Sequence, residues 1–379
     1  MKDVMGLIYT SKNETTMREL TVTRAIAALP VAGRYRMIDF TISNMVNSGI
    51  RNVGVIMQRN YHSLMDHLGS GKEWDLHTRQ NGLFILPPFS TRENIGPEGG
   101  ILEALRSNMN YLRRSRQELV VLVNSHTAMN TTFNDLVEFH QSKQADITLV
   151  YAKKSADDVE QSHTLTRRHV FMDVNADGLV TELEVGPNNP KTDNFYMDIL
   201  VIRRELLIQL VDDAFAQSYH DINRDLLQRY VANQELRVCG YEYTGYSRRV
   251  ETINSYFELN MDLLKTAPRR ELFNPETPVF TKIRDEVPAR YMPGSKVVNS
   301  LVADGCVIEG TVENCVLFRG VHIGPGAVVK NSILMQEDDI EAGVELENVI
   351  LDKKVTVKRN ERLIAPKSYP IVIGKNRTI

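Results

Sequence analysis

Four short segments near the C-terminus repeat one pattern, and they restrict the fold more than any other feature of the sequence. Asn299-Ser300-Leu301-Val302, Asn314-Cys315-Val316-Leu317, Asn331-Ser332-Ile333-Leu334 and Asn348-Val349-Ile350-Leu351 recur at intervals of 15, 17 and 17 residues. In each copy an aliphatic residue recurs six positions further on: Ile308 after Val302, Ile323 after Leu317, Ile340 after Leu334 and Val357 after Leu351. A repeat this short cannot bury its own apolar face, so the copies must stack. Hexapeptide spacing within a period of about 17 residues predicts a parallel β-helix, with three short faces per coil and an aliphatic ladder inside. The last copy carries Lys353, Lys354, Lys358, Arg359 and Arg362. A solvated cap is the simpler reading of that charge, and an anion or partner surface is the alternative.

Upstream the periodicity changes. Val4–Tyr9, Val53–Met57 and Leu119–Val123 are apolar runs of the length of buried parallel strands. Helical spacing covers Met37 to Gly49, Tyr61 to Leu68, Ile101 to Tyr111 and Phe133 to Gln144, and a further helix starts at Glu205. Further strands are expected at Asp146–Tyr151 and Phe195–Ile202, and a hairpin turns at Asn175-Ala176-Asp177-Gly178. This alternation predicts an α/β sheet domain over residues 1–265. Prolines 268, 275, 278, 288 and 293 predict a linker over 266–293, which leaves 294–379 for the β-helix. The stretch from Gly69 to Gly100 is too long for an ordinary connection and reads as a functional or interface loop.

The chain has 379 residues, room enough for both domains. A net charge of −3 argues against a sequence-independent nucleic-acid binder. Cys239, Cys306 and Cys315 form neither a metal-spaced set nor an even disulfide framework, as expected of reduced thiols in a cytoplasmic protein. There is no signal-type leader and no run of about 18 apolar residues, so no membrane association is expected.

The chemistry turns on the loop that leaves the first strand, Thr10 to Thr16. In a nucleotide-binding α/β fold such a loop cradles phosphate on backbone N–H groups, and glycine lets the anion approach. Here no glycine lies between Gly6 and Gly33, and Glu14 adds a negative charge. Beyond it, Gly33-Arg34-Tyr35-Arg36-Met37-Ile38-Asp39-Phe40-Thr41-Ile42-Ser43-Asn44, followed by Met45 to Arg51, resembles the ADP-glucose pyrophosphorylase (glucose-1-phosphate adenylyltransferase) family. The glycine-free loop resembles the regulatory branch of that family. The resemblance covers nearly the whole chain. It implies a Rossmann-like, glycosyltransferase-A-like nucleotidyltransferase domain followed by a left-handed parallel β-helix.

The resemblance also implies where catalytic groups would lie. The family's GGxGTR loop falls on Ser11 to Thr16, with Ser11, Lys12 and Glu14 in place of glycines and Thr16 in place of the arginine. The lysine of its RAKPA motif falls on Ile26, and the magnesium-binding aspartate of its GDH motif on Ser125. The sugar-phosphate lysine of EKP falls on Gly186. The second metal aspartate, in WRDVGT, falls on Arg249 within Ser247 to Thr252, and a guanidinium cannot ligate Mg²⁺. Joining a nucleoside triphosphate to a sugar phosphate needs a phosphate cradle, cations and metal-binding carboxylates. These substitutions imply a chain with no catalytic residues, no metal site and no cofactor of its own, Mg²⁺ and ATP being used by a catalytic partner.

Framework positions of the family remain: Asp39, Phe40, Ser43, Asn44, Gly245-Tyr246, Arg248 and Asn260. Arg34 falls where catalytic relatives carry a lysine associated with activating sugar phosphates. With Arg36 and Arg51 it forms a candidate effector site, since arginines grip phosphate bidentately; framework arginines are the plainer alternative. The resemblance therefore implies a regulatory, non-catalytic subunit of glucose-1-phosphate adenylyltransferase in bacterial glycogen biosynthesis. Such a chain would assemble with its catalytic partner as a heterotetramer, or form a homo-oligomer alone, and answer to a sugar-phosphate effector. Two alternatives stand beside it. One is an active adenylyltransferase in which Lys12 and Arg249 replace a metal's charge. The other is a β-helix acyltransferase built on His322, the only histidine of the repeat region.

Overall fold

A computed structural model of the chain describes residues 1–10, 15–57, 60–78, 81–87, 100–154 and 169–379. The strand Val4–Tyr9 lies inside a nine-stranded mixed sheet, with Val53–Ile56 and Leu119–Asn124 parallel on either side. Its residues alternate between two cores: Val4 and Ile8 face one, Met5 and Leu7 the other. That two-sided burial is why the strand reads as a continuous apolar run. Asn194–Arg203 runs antiparallel to both Leu119–Asn124 and Ile147–Lys153. The expected hairpin, Val170–Val174 with Val180–Val185, extends the sheet beyond it. Met37–Asn47 is helical, begun by the Asp39 carboxylate accepting from the Arg36 N–H at 2.8 Å and followed by Gly49 at φ +75°.

Two expectations change. The stretch from Gly69 to Gly100 is not all loop, because Leu83–Leu86 forms a further strand parallel to Val53–Ile56. Trp74 is buried in the core beside it, its ring edge-on to His67. A four-residue strand at a sheet edge carries too little periodicity to stand out from a loop. Residues 88–99 of that stretch lie outside the described residues. The 266–293 stretch opens on a helix, Thr266–Leu272, with Pro268 in its first turn, where the missing N–H had no helical partner to lose. No helix or strand follows until Arg290–Tyr291.

The repeats form three parallel sheets of five strands each, the left-handed hexapeptide β-helix. Val302, Leu317, Leu334, Leu351 and Ile373 stack along one sheet, and Ile308, Ile323, Ile340 and Val357 along a second. The repeated asparagine acquires a reason here. Asn299, Asn314, Asn331 and Asn348 all turn the corner at positive φ, between 44° and 55°. Asparagine enters that region more readily than other residues with a side chain. Their side chains also form a ladder: Asn299 donates to Asn314 at 2.7 Å, Asn314 to Asn331 at 3.3 Å, and Asn348 to the Ala365 carbonyl at 2.7 Å. Cys306 and Cys315 lie inside the coil, where burial pushes their thiols up to about 11 and about 12.

A shared core joins the domains: Ile26, Phe40 and Tyr256 from the sheet domain meet Phe318, Ile333 and Met335 from the β-helix. The motif glycine Gly33 sits at this junction with φ +79°, and a Cβ there would lie 3.4 Å from the Leu317 carbonyl. Among the described residues no helix is long and apolar enough to cross a membrane.

Candidate functional site

Tyr9 and Asn124 end adjacent parallel strands, and Thr127–Met129 pairs antiparallel with Ser247–Arg249, setting Arg249 opposite Thr127. Asn194–Arg203 slips register between Tyr196 and Leu200, and in that slip Asp198 takes φ +56°. A non-glycine residue pays about 1–2 kcal/mol for that conformation. The side chain it aims is engaged: Arg249 Nη2 lies 2.8 Å from Asp198 and 2.7 Å from Glu251. The other Glu251 oxygen is 2.8 Å from His169 Nε2, and the Arg249 guanidinium lies 5.4 Å from the centre of the Phe195 ring. Burial works against all of these charges. The two carboxylates nevertheless outweigh it and raise Arg249 above its ordinary value, while Arg249 and His169 hold Glu251 well below the carboxylate range. Burial pushes Asp198 up against the pull of Arg249. Burial also lowers His126, beside this cluster, to about 4.

Four of the substituted motif positions, Thr16, Ser125, Gly186 and Arg249, lie at or beside this cluster. Thr16 donates its hydroxyl to the Glu251 carbonyl, and the Gly186 N–H donates to the His169 carbonyl at 2.8 Å. Ser125 is fully buried, its hydroxyl without a partner among the described residues. Ile26 stands apart in the interdomain core, while Ser11, Lys12 and Glu14 lie outside the described residues. Sequence reasoning missed Asp198, Glu251 and His169. For Glu251 a signal existed: it takes the place of the glycine in WRDVGT, a new acid two residues after a new base. A divalent cation does not fit this arrangement, since Arg249 already engages both carboxylates and Ser125 offers only a neutral hydroxyl. Among the described residues no three His, Cys, Asp or Glu are grouped to hold a metal ion.

The retained motif residues serve as braces. Arg248 bonds Asp262 at 2.7 Å and Glu258 at 3.3 Å, and the Tyr246 hydroxyl reaches Asp262 at 3.1 Å. Asn44 spans the Met129 carbonyl and the Thr131 N–H, Ser43 accepts from the Phe280 N–H, and Asn260 accepts from the Ala32 N–H. Over the cluster opens a cleft of about 550 Å³, walled by Lys153, Phe195, Tyr243 and Tyr246.

A second cavity, about 610 Å³, lies where the domains meet. Arg34 and Arg36 line it together with Lys282 and Arg284 from the connecting stretch and Arg319, Lys353, Lys354 and Lys375 from the β-helix; Asp66, Glu286 and Glu337 are its only lining carboxylates among the described residues. Burial lowers Arg36 to about 10 and, helped by Arg36 and Arg24, Lys353 to about 7. Arg51 does not join them: it lies exposed, 3.4 Å from Asp75. Closeness in sequence misplaced it, because Arg51 follows the helix that carries the chain away from Arg36. The basic C-terminal run also divides. Lys353 and Lys354 line the cavity, whereas Lys358 and Arg359 pair with Glu341, and Arg362 with Glu345. His322 is held by Asp339 at 2.7 Å and Glu309 at 3.2 Å, which leaves neither ring nitrogen available as a base.

Residues 13–266 match the nucleotidyl transferase family, and residues 287–364 match the GlmU-like C-terminal hexapeptide family. The chain is 34% identical to the glycogen biosynthesis protein GlgD of Bacillus subtilis, over 98% of this chain and 96% of that one. It is 33% identical to the glucose-1-phosphate adenylyltransferase of a Thermotoga species, over 87% of this chain and 77% of the enzyme. The enzyme of Geobacillus stearothermophilus is likewise 33% identical, over 87% of this chain and 84% of its own.

Proposed function

Because this chain belongs to the ADP-glucose pyrophosphorylase family of nucleotidyltransferases, with a role in glycogen biosynthesis, we propose that it is the regulatory, non-catalytic subunit of a glucose-1-phosphate adenylyltransferase. It assembles with a catalytic subunit, and a sugar phosphate bound in the cationic interdomain cavity tunes the assembly. One observation carries this reading: the cation beside the strand tips is a guanidinium already held by Asp198 and Glu251. Neither Arg249 nor Ser125 can ligate a metal as the aspartates of catalytic relatives do. Removing one electrostatic stabiliser typically costs about 10²–10³ in rate, and here both metal positions are gone. The braces that shape the fold are kept, as a chain selected for assembly requires.

The test is to assay ADP-glucose formation from ATP, glucose 1-phosphate and Mg²⁺ with three samples: this chain, its catalytic partner, and the two mixed. The expected result is no product from this chain alone, with raised activity or a changed response to fructose 1,6-bisphosphate in a mixture whose mass shows a mixed oligomer. Product from the purified chain alone, abolished by Arg249→Ala, would instead establish an active enzyme with a rearranged site.

A further inference from the structure

We propose that Lys353 is a reversible modification site, at which its side-chain amine takes up carbon dioxide as a carbamate that the surrounding cations hold. This goes beyond the regulatory reading and stands whether or not a sugar phosphate enters the same cavity.

Lys353 keeps a free amine in a fixed place. It lies in the turn between the strands Val349–Leu351 and Thr356–Val357 of the last coil. Its N–H donates to Asp352 Oδ1 at 2.7 Å and its carbonyl accepts from the Asn376 N–H at 3.0 Å, which pins the backbone. The half-buried side chain lines the interdomain cavity, and among the described residues its amine has no ion pair and no hydrogen bond. Other lysines there are committed: Lys282 donates to the Asp66 carbonyl at 2.7 Å, and Lys354 pairs with Glu337 at 3.2 Å.

The amine also stands among like charges. Arg36 and Arg24 from the sheet domain and Lys375 from the β-helix act on it, and the one carboxylate that does so, Asp352, is bonded to Arg24. Around the rest of the wall Asp66, Glu286 and Glu337 face eight cations, and His67 is engaged by Asp39 at 2.5 Å. Burial, aided by the nearby cations, brings Lys353 to about 7. At pH 7 about half of the amine is then neutral, roughly a thousandfold more than in an ordinary lysine of pKa about 10.4. A desolvated amine beside other cations is the nucleophilic form of lysine.

What the cavity can keep selects the electrophile. An acyl group would leave a neutral amide and the cations unanswered. Carbon dioxide is small and uncharged, so it passes the cations freely, and its adduct is an anion. The nitrogen lone pair attacks the carbon, one C–O π pair moves onto oxygen, and the nitrogen releases a proton to water. An amine and carbon dioxide thus give a carbamate and a proton, with nothing oxidised or reduced. The new carboxylate sits on the lysine's own stem in a wall of arginines, which grip such groups bidentately.

The test equilibrates the full chain with isotope-labelled carbon dioxide at fixed pressure and traps carbamates as ethyl esters with triethyloxonium ion. Peptide mass spectrometry then locates them. Lys353 should carry the ester, with occupancy rising from about pH 6 to about pH 8 as the amine loses its proton, and exposed Lys354 should carry none. Carbon NMR of the untrapped protein should lose one carbamate signal in Lys353→Met. Lys375→Glu changes an exposed residue and keeps the amine; it should cut occupancy roughly tenfold at pH 7 by favouring the charged amine. The proposal is overturned if no ester forms on Lys353 at any of these pH values, if Lys354 is labelled equally, or if Lys375→Glu changes nothing. Bicarbonate held in the cavity as a free ion would leave no ester and would overturn it too. None of these readouts measures ADP-glucose formation, so failure here and failure of the regulatory reading are separable.

Discussion

The cleft and the interdomain cavity differ little in volume and greatly in charge. In the cleft the arginines are paired within a few ångströms, and the cations nearly balance the acids. In the interdomain cavity eight cations face Asp66, Glu286 and Glu337. The difference teaches where an anion can still be received. A buried cation with two carboxylate partners is neutralised and unavailable, whereas cations crowded together depress one another and wait for a counter-charge. On the regulatory function proposed above, the sheet domain has exchanged a metal's charge for an internal one, and the phosphate-seeking charge sits at the β-helix junction.

Breaking the internal pairing should give the largest effect. Arg249→Leu leaves Asp198 and Glu251 buried with only His169 beside Glu251, and about 3–5 kcal/mol of stability should be lost in urea unfolding. Adding Asp198→Asn and Glu251→Gln should recover most of the loss, since the cost lies in the stranded charges. A loss below about 1 kcal/mol for the single variant would place these groups in solvent.

The complementary test empties the other cavity of charge. Arg34 and Arg284 are both exposed, so Arg34→Glu with Arg284→Glu should leave the melting temperature almost unchanged. Losing two charge-assisted bonds of about 1.5 kcal/mol each should lower fructose 1,6-bisphosphate affinity roughly a hundredfold by calorimetry. Arg51→Ala should change neither quantity, because Arg51 pairs with Asp75 outside the cavity. Equal binding by the double variant would remove the effector from this cavity.

The same contrast explains how much of the molecule is legible in its amino-acid sequence. The β-helix is legible down to register because a local repeat, Asn-x-aliphatic-aliphatic, specifies each coil, and stacking supplies the rest. The helix from Met37 is legible because its motif is contiguous. Leu83–Leu86 is not, being four residues at an edge. The site is half legible. Arg249 stands out by motif position, but its partner Asp198 lies 51 residues upstream and His169 farther still, and no local pattern links them. Only strand pairing brings Arg249 to Thr127 and turns Asp198 toward it. The cationic cavity draws on three segments, so Arg34 and Arg36 announce it in part, while Arg51 is a neighbour in sequence alone.

The asparagine ladder offers a smaller effect on the region that carries half of the cationic cavity. Asn331→Ala should cost about 1–2 kcal/mol, from its φ of +45° and the loss of the bond it accepts from Asn314. Asn331→Gly should restore the backbone share.

The finest distinction is a proton. Lys353 titrates near 7 because burial and its arginine neighbours oppose its charge, so above that pH it is largely neutral in the free protein. A bound polyanion favours the charged amine, and binding between about pH 7 and 8 must then draw a proton from the buffer. Below pH 7 the amine is already charged and no uptake is expected. Affinity should accordingly fall as pH rises through this window. Calorimetry of fructose 1,6-bisphosphate in buffers of different ionisation enthalpy should show the uptake, and Lys353→Met should abolish it while binding persists through Arg34, Arg284 and Arg319. A bisphosphate that binds without drawing a proton would have to sit away from Lys353, and the cavity's cations would then be partners of the fold rather than of a ligand.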